Sequence, residues 1–134
     1  MSEVNYRMAS KNENVTVYVV DDDVAIRDSL TILLNAYGIQ TRTYATPDEL
    51  LAEPGDSRNG CLVLDARLPG MSGLELLDRL AREGNQLPVF MITGHGDKNT
   101  LSAAEKKGVV KCFRKPFDSD LLVSCIRHAL FGDD

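Results

Sequence analysis

Short apolar runs alternate with amphipathic segments five times along the chain. The first run, Val15 to Val20, predicts a strand, and further strands follow over Ile39 to Tyr44, Gly60 to Leu64, Pro88 to Ile92 and Val109 to Phe113. Between the first two, Ile26, Leu30, Leu33, Leu34 and Tyr37 recur at helical spacing, predicting a helix over Val24 to Ala36 that Asp23 caps and Gly38 ends. Thr46-Pro47-Asp48-Glu49 is a strong helix start, with a Thr cap, Pro in the first turn and Glu three residues on. Leu74, Leu76, Leu77 and Leu80 mark a third helix after the loop at Pro69 to Gly73. A fourth is capped by Asp97 and stopped by Gly108, and a fifth, Ser119 to Leu130, carries Leu122, Cys125, Ile126 and Ala129 on one stripe. Five repeats of strand then helix imply an α/β fold, a parallel sheet with helices on both faces. The near-continuous apolarity of the first, third and fourth strands fits strands buried on both sides.

A length of 134 residues suits one domain with its own core. Residues 15–131 are expected to form that domain, with an N-terminal tail at 1–14 and a short C-terminal tail at 132–134. The net charge of −5 argues against direct nucleic-acid binding, which needs a basic face. Cys61, Cys112 and Cys125 are odd in number and lack metal-ligand spacing, so buried reduced thiols and a cytoplasmic setting are expected. No run approaches the roughly 18 apolar residues of a membrane span, and residues 1–14 lack the apolar stretch of a signal peptide.

Chemistry enters at the strand ends. The first strand delivers Asp21-Asp22-Asp23, the third delivers Asp65, the fourth Thr93, and the fifth Lys115-Pro116, where a cis bond is expected. Open α/β sheets bind ligands at the carboxyl ends of their strands. Two carboxylates ~4 Å apart repel by roughly 4 kcal/mol at an effective dielectric near 20, so such a cluster calls for a shared cation. Taken singly, each acid is an ordinary cap or turn residue, and Asp23 keeps that role. Jointly, strand ends that converge on one point demand more.

VVDDD at Val19 to Asp23, LDARLPGMSG at Leu64 to Gly73, ITGHG at Ile92 to Gly96 and RKPF at Arg114 to Phe117 resemble, in order and spacing, the four motifs of response-regulator receiver domains. The wording around Thr93 to Asp97 is most similar to the branch that precedes LuxR-type DNA-binding domains, as in nitrogen-fixation regulators. The resemblance implies a flavodoxin-like (βα)5 doubly wound sheet of order 2-1-3-4-5. It implies Asp65 as phosphoacceptor, Mg²⁺ held by Asp21, Asp22, Asp65 and the backbone carbonyl of Arg67, and Lys115 and Thr93 as phosphoryl ligands. It further implies a histidine kinase or phosphotransfer protein as partner, a homodimer through the face made by the fourth helix, fifth strand and fifth helix, and a DNA-binding output domain beyond residue 134. Catalysis would extend only to the domain's own phosphotransfer and dephosphorylation.

Arg67 and His95 occupy positions that tune dephosphorylation in this family. Cys112 stands where receivers commonly carry the Tyr or Phe that turns inward on activation, and strand alternation places Phe113 on the other face, so the coupled aromatic–threonine switch is altered or missing. The fourth helix is unusually polar, and with Lys111 and Arg114 it presents a charged output face. Two rival functions remain open from the residues. One is a receiver fold serving as a stand-alone or constitutive interaction module. The other is a haloacid-dehalogenase-like phosphatase with Asp21 as nucleophile.

Overall fold

The computed structural model describes residues 15–94 and 98–132, the side chain of Asp56 excepted. Five parallel strands, β1 (Thr16–Val20), β2 (Gln40–Tyr44), β3 (Gly60–Asp65), β4 (Val89–Thr93) and β5 (Lys111–Arg114), form one sheet in the order β2-β1-β3-β4-β5. The helices are α1 (Val24–Ala36), α2 (Pro47–Leu51), α3 (Gly73–Arg82), α4 (Lys98–Lys106) and α5 (Ser119–Phe131), with a 3₁₀ turn at Gly55–Ser57. Fold class and strand order are as the sequence led us to expect.

Alternation along the strands builds two separate cores. Val17, Val19, Cys61, Val63, Phe90, Ile92 and Phe113 pack on one face against Leu30 and Leu34 of α1 and Leu122, Val123 and Ile126 of α5. Tyr18, Val20, Leu62, Leu64, Val89 and Met91 pack on the other against Leu50, Leu76, Leu77, Leu80 and Ala104 of α2, α3 and α4. Cys112 joins this second face, opposite Phe113 as alternation requires. Tyr37, placed by spacing on the inner stripe of α1, is instead 45% exposed, with the Arg127 guanidinium 4.4 Å over its ring.

The caps expected of Asp23 and Thr46 form, and Ser72 and Asp118 supply two more. Asp23 accepts from the Ala25 amide at 2.9 Å, Thr46 from Glu49, Ser72 from Glu75, and Asp118 from Asp120 and Leu121. The cap expected of Asp97, the N-terminal tail and residues 133–134 lie outside the described residues. Strand edges move by a residue or two. The Val109 amide still donates to Ala104 at the end of α4, so β5 starts later than its apolar run. At its other end β3 carries Asp65 within the ladder, opposite Ile92.

The three thiols differ in reach. Cys61 is wholly buried and burial pushes it up to about 12, whereas Cys125 is half-buried. Iodoacetamide at pH 8, followed by peptide mass mapping, should therefore modify Cys125 at least about a hundredfold faster than Cys61 in the native protein. Equal rates would mean that the core between β1 and β3 opens freely.

Candidate functional site

The parallel registers fix where the charges fall. Val20 pairs with Leu64 and Asp65 with Ile92, so residues 21, 65 and 93 leave the sheet at one rim. A backbone hydrogen bond of 2.8 Å from the Lys115 amide to the Thr93 carbonyl brings the end of β5 to the same place. The Lys115–Pro116 peptide is cis, as expected.

One carboxylate oxygen from each of Asp21, Asp22 and Asp65 lies within 4.8 Å of the other two. Asp21 is fully buried and Asp65 nearly so, while Asp22 faces solvent. Each buried acid is oriented by a main-chain donor: Asp21 Oδ1 accepts from the Asp23 amide at 2.9 Å and Asp65 Oδ1 from the Arg67 amide at 3.0 Å. Lys115 Nζ donates to Asp65 Oδ2 at 3.0 Å and stands 3.4 Å from Asp21 Oδ2. Among the described residues no hydrogen bond reaches that second oxygen, so the contact is an ion pair at longer range. The Thr93 hydroxyl at the end of β4 is also buried without a hydrogen-bond partner among the described residues.

Burial pushes the Asp21 carboxyl up to about 6; the Asp23 amide opposes the rise, Asp65 adds to it, and Lys115 counters it. At Lys115, burial pulls downward, but the hydrogen bond to Asp65 and the charges of Asp21 and Asp65 outweigh it and leave the ammonium above its ordinary value. A single ammonium thus faces three carboxylates. The remaining deficit of positive charge, the unsatisfied Asp21 oxygen and the all-oxygen donor set fit a hard divalent cation.

Arg67 is exposed, with its amide committed to Asp65. His95 lies outside the described residues. Cys112 is half-buried away from the carboxylates on the α4 side of the sheet, and burial together with the charge of Glu105 holds its thiol above the ordinary range. Sequence reasoning missed Arg27. Its Nη1 donates to the main-chain carbonyl of Asp21 at 2.8 Å and anchors the turn that carries the acids. The available signal was an arginine one residue past Ile26, at the edge of the apolar stripe.

Comparison with known proteins agrees with this geometry. A family model described as the response regulator receiver domain matches residues 17–127. Response regulator protein TmoT of Ectopseudomonas mendocina is 36% identical over 124 residues, covering 92% of this chain and 56% of that protein. Transcriptional regulatory protein FixJ of Bradyrhizobium diazoefficiens is 41% identical over 115 residues, covering 85% and 56%. Among solved structures, FixJ-N matches with a TM-score of 0.78 at 38% identity, covering 87% of this chain and 93% of that one. Full-length FixJ from B. japonicum gives 0.79 at 37%, covering 87% and 57%.

The chain belongs to the receiver-domain family of two-component response regulators. Its similarity to FixJ proteins is consistent with the nitrogen-fixation branch, and it spans about half the length of the curated relatives it matches. Membership removes the phosphatase alternative. Receivers partner histidine kinases, and no described helix is long and apolar enough to cross a membrane.

Proposed function

We propose that Asp65 is the phosphoacceptor of a cytoplasmic signalling domain, that Asp21, Asp22, Asp65 and the backbone carbonyl of Arg67 hold Mg²⁺, and that an attached DNA-binding output domain receives the signal. The observation that carries this reading is the ammonium of Lys115, 3.0 Å from Asp65 Oδ2 beside the buried Asp21 carboxylate. Mg²⁺, when bound, neutralises negative charge on the pocket and on the incoming phosphoryl oxygens.

An Asp65 oxygen attacks phosphorus, an O–P bond forms, and the N–P bond of a phosphohistidine breaks. The leaving imidazole keeps the electron pair and takes up a proton. The Arg67 amide holds one Asp65 oxygen and thereby directs the other. Lys115 shields that oxygen at rest and donates to a phosphoryl oxygen after transfer. The unpartnered Thr93 hydroxyl donates to another. Two charge-assisted bonds at roughly 1.5–3 kcal/mol each come near the ~5.5 kcal/mol that inverts a 1:99 equilibrium. Arg67 and His95 tune the lifetime of the phosphoryl group, and Cys112 withholds the aromatic contribution to the switch. The domain turns over no other substrate.

Incubation with acetyl phosphate and Mg²⁺, then reduction with tritiated borohydride and peptide mapping, should place the label, as homoserine, on residue 65 and nowhere else. Label at residue 21 would reverse the assignment of nucleophile. Complete absence of label would favour a constitutive interaction module.

A further inference from the structure

The turn that carries the acids is held at three points. The Asp21 amide donates to the Tyr44 carbonyl at 3.1 Å, and Asp21 Oδ1 accepts from the Asp23 amide at 2.9 Å. Both of these bonds have main-chain donors, which every residue but proline supplies. The third depends on a side chain: the Asp21 carbonyl accepts from Arg27 Nη1 at 2.8 Å. That carbonyl belongs to the peptide unit joining Asp21 to Asp22, the link between a buried and an exposed carboxylate of one cluster. Asp22 is exposed, so the setting of this peptide plane, more than packing, decides the direction in which its carboxylate leaves the main chain.

Arg27 is itself well fixed. Its amide donates to the Asp23 carbonyl at 3.1 Å in the first turn of α1, its carbonyl accepts from Thr31 Oγ1 at 2.8 Å, and the residue is half-buried. It forms no ion pair among the described residues, although three carboxylates gather at the rim it serves. Lys115 behaves differently, contacting the carboxylates of Asp65 and Asp21 directly. A guanidinium that turns to a neutral carbonyl orients the ligands without taking the place of the cation they would share.

We infer that Arg27 is a positioning residue for the metal centre: its hydrogen bond to the Asp21 carbonyl fixes the Asp21–Asp22 peptide so that both carboxylates meet one Mg²⁺ ion. The inference rests on the Mg²⁺ reading of the cluster and extends it to a side chain that contacts none of the carboxylates. Mg²⁺ demands near-octahedral geometry, so misdirecting one ligand lowers affinity sharply. Removing a group that orients metal ligands typically weakens binding about ten- to a hundredfold. The sign of the effect separates orientation from charge. Deleting a cation beside an acidic cluster would, by Coulomb attraction alone, tighten Mg²⁺ binding, whereas loss of orientation weakens it.

Titration of the metal-free protein with MgCl₂ at pH 7.5, followed by amide resonances, tests this. Arg27→Met, which removes the donor, should bind Mg²⁺ about tenfold or more weakly than wild type. Arg27→Lys, which keeps the charge and a donor, should stay within about threefold, and Arg82→Met, at the far end of α3, should leave the affinity unchanged. With acetyl phosphate, Arg27→Met should need about tenfold more Mg²⁺ for half-maximal labelling yet reach a maximal rate within about twofold of wild type. Tighter binding by Arg27→Met would overturn the inference, as would unchanged affinity with a lower melting temperature in EDTA, or a Lys variant as weak as the Met variant. If Arg27→Met folds poorly, wild type still decides: the Arg27 Nε resonance should move along the Mg²⁺ titration with the same midpoint as the Asp22 amide, and a resonance that stays put would overturn the inference. Wild type that takes up no Mg²⁺ at 20 mM would remove the metal reading and this inference with it. Wild type that binds Mg²⁺ but takes no label would sink only the phosphoacceptor assignment, and the affinity series would still stand.

Discussion

Replacing Asp21 with Asn should raise the melting temperature of the metal-free protein by about 5–10 °C at pH 7.5 and weaken Mg²⁺ binding about a hundredfold. Both effects have one origin: a wholly buried carboxylate beside a second one, with an oxygen that accepts no hydrogen bond among the described residues. Burial pushes its folded-state value up to about 6 from an ordinary 3.8. An acid raised in this way contributes stability that is complete below 3.8 and lost as pH rises through about 6. Above that point its charge costs the empty pocket about 2–3 kcal/mol. Asn keeps an oxygen for the Asp23 amide and carries no charge, so it recovers most of that cost. The gain should fade between pH 6 and pH 4 in melts run with EDTA. A gain of equal size at pH 4 would show that charge burial is not its source. Titration with Mg²⁺ at pH 7.5 should raise the melting temperature of wild type and leave Asp21→Asn nearly unmoved.

Much of this site was legible because the acids and the lysine sit immediately after apolar runs, where a parallel sheet must release them at one rim. Asp21, Asp22, Asp65 and Lys115 could be placed together from that rule and from the receiver motifs. The helix starts at Asp23 and Thr46 were equally plain, since both cap through short side chains acting on amides two or three residues away. What escaped depended on side chains that reach sideways. Arg27 meets the Asp21 carbonyl only because a long, half-buried side chain folds back from α1. Tyr37 left the core stripe because α1 is already ending there, and the ring finds Arg127 instead. β5 was displaced because Val109 serves helix closure before strand pairing, a competition that hydropathy does not record.

Gly60→Ala should cost about 3–5 kcal/mol and lower the melting temperature by about 10–20 °C. Gly60 has a φ of +142°, outside the range that L side chains accept readily. A methyl group built there would overlap the Thr16 carbonyl oxygen and stand 2.8 Å from the Thr16 amide nitrogen. The obstacle is main chain, held by the 2.8 Å hydrogen bond from the Thr16 amide to the Asn59 carbonyl and by the pairing of Thr16 with Gly60. It cannot swing aside as a flexible side chain would, so β1 and β3 must separate. Gly70→Ala isolates the two contributions. Gly70 also has positive φ, at +78°, but nothing lies within 4 Å of its added methyl, so strain alone should cost about 1 kcal/mol. Equal losses in the two variants would mean that the clash relaxes freely. A much larger loss at Gly60 would identify the close approach of β1 and β3 as the contact that fixes their register, and hence the meeting of Asp21 with Asp65 at the far end of the same two strands.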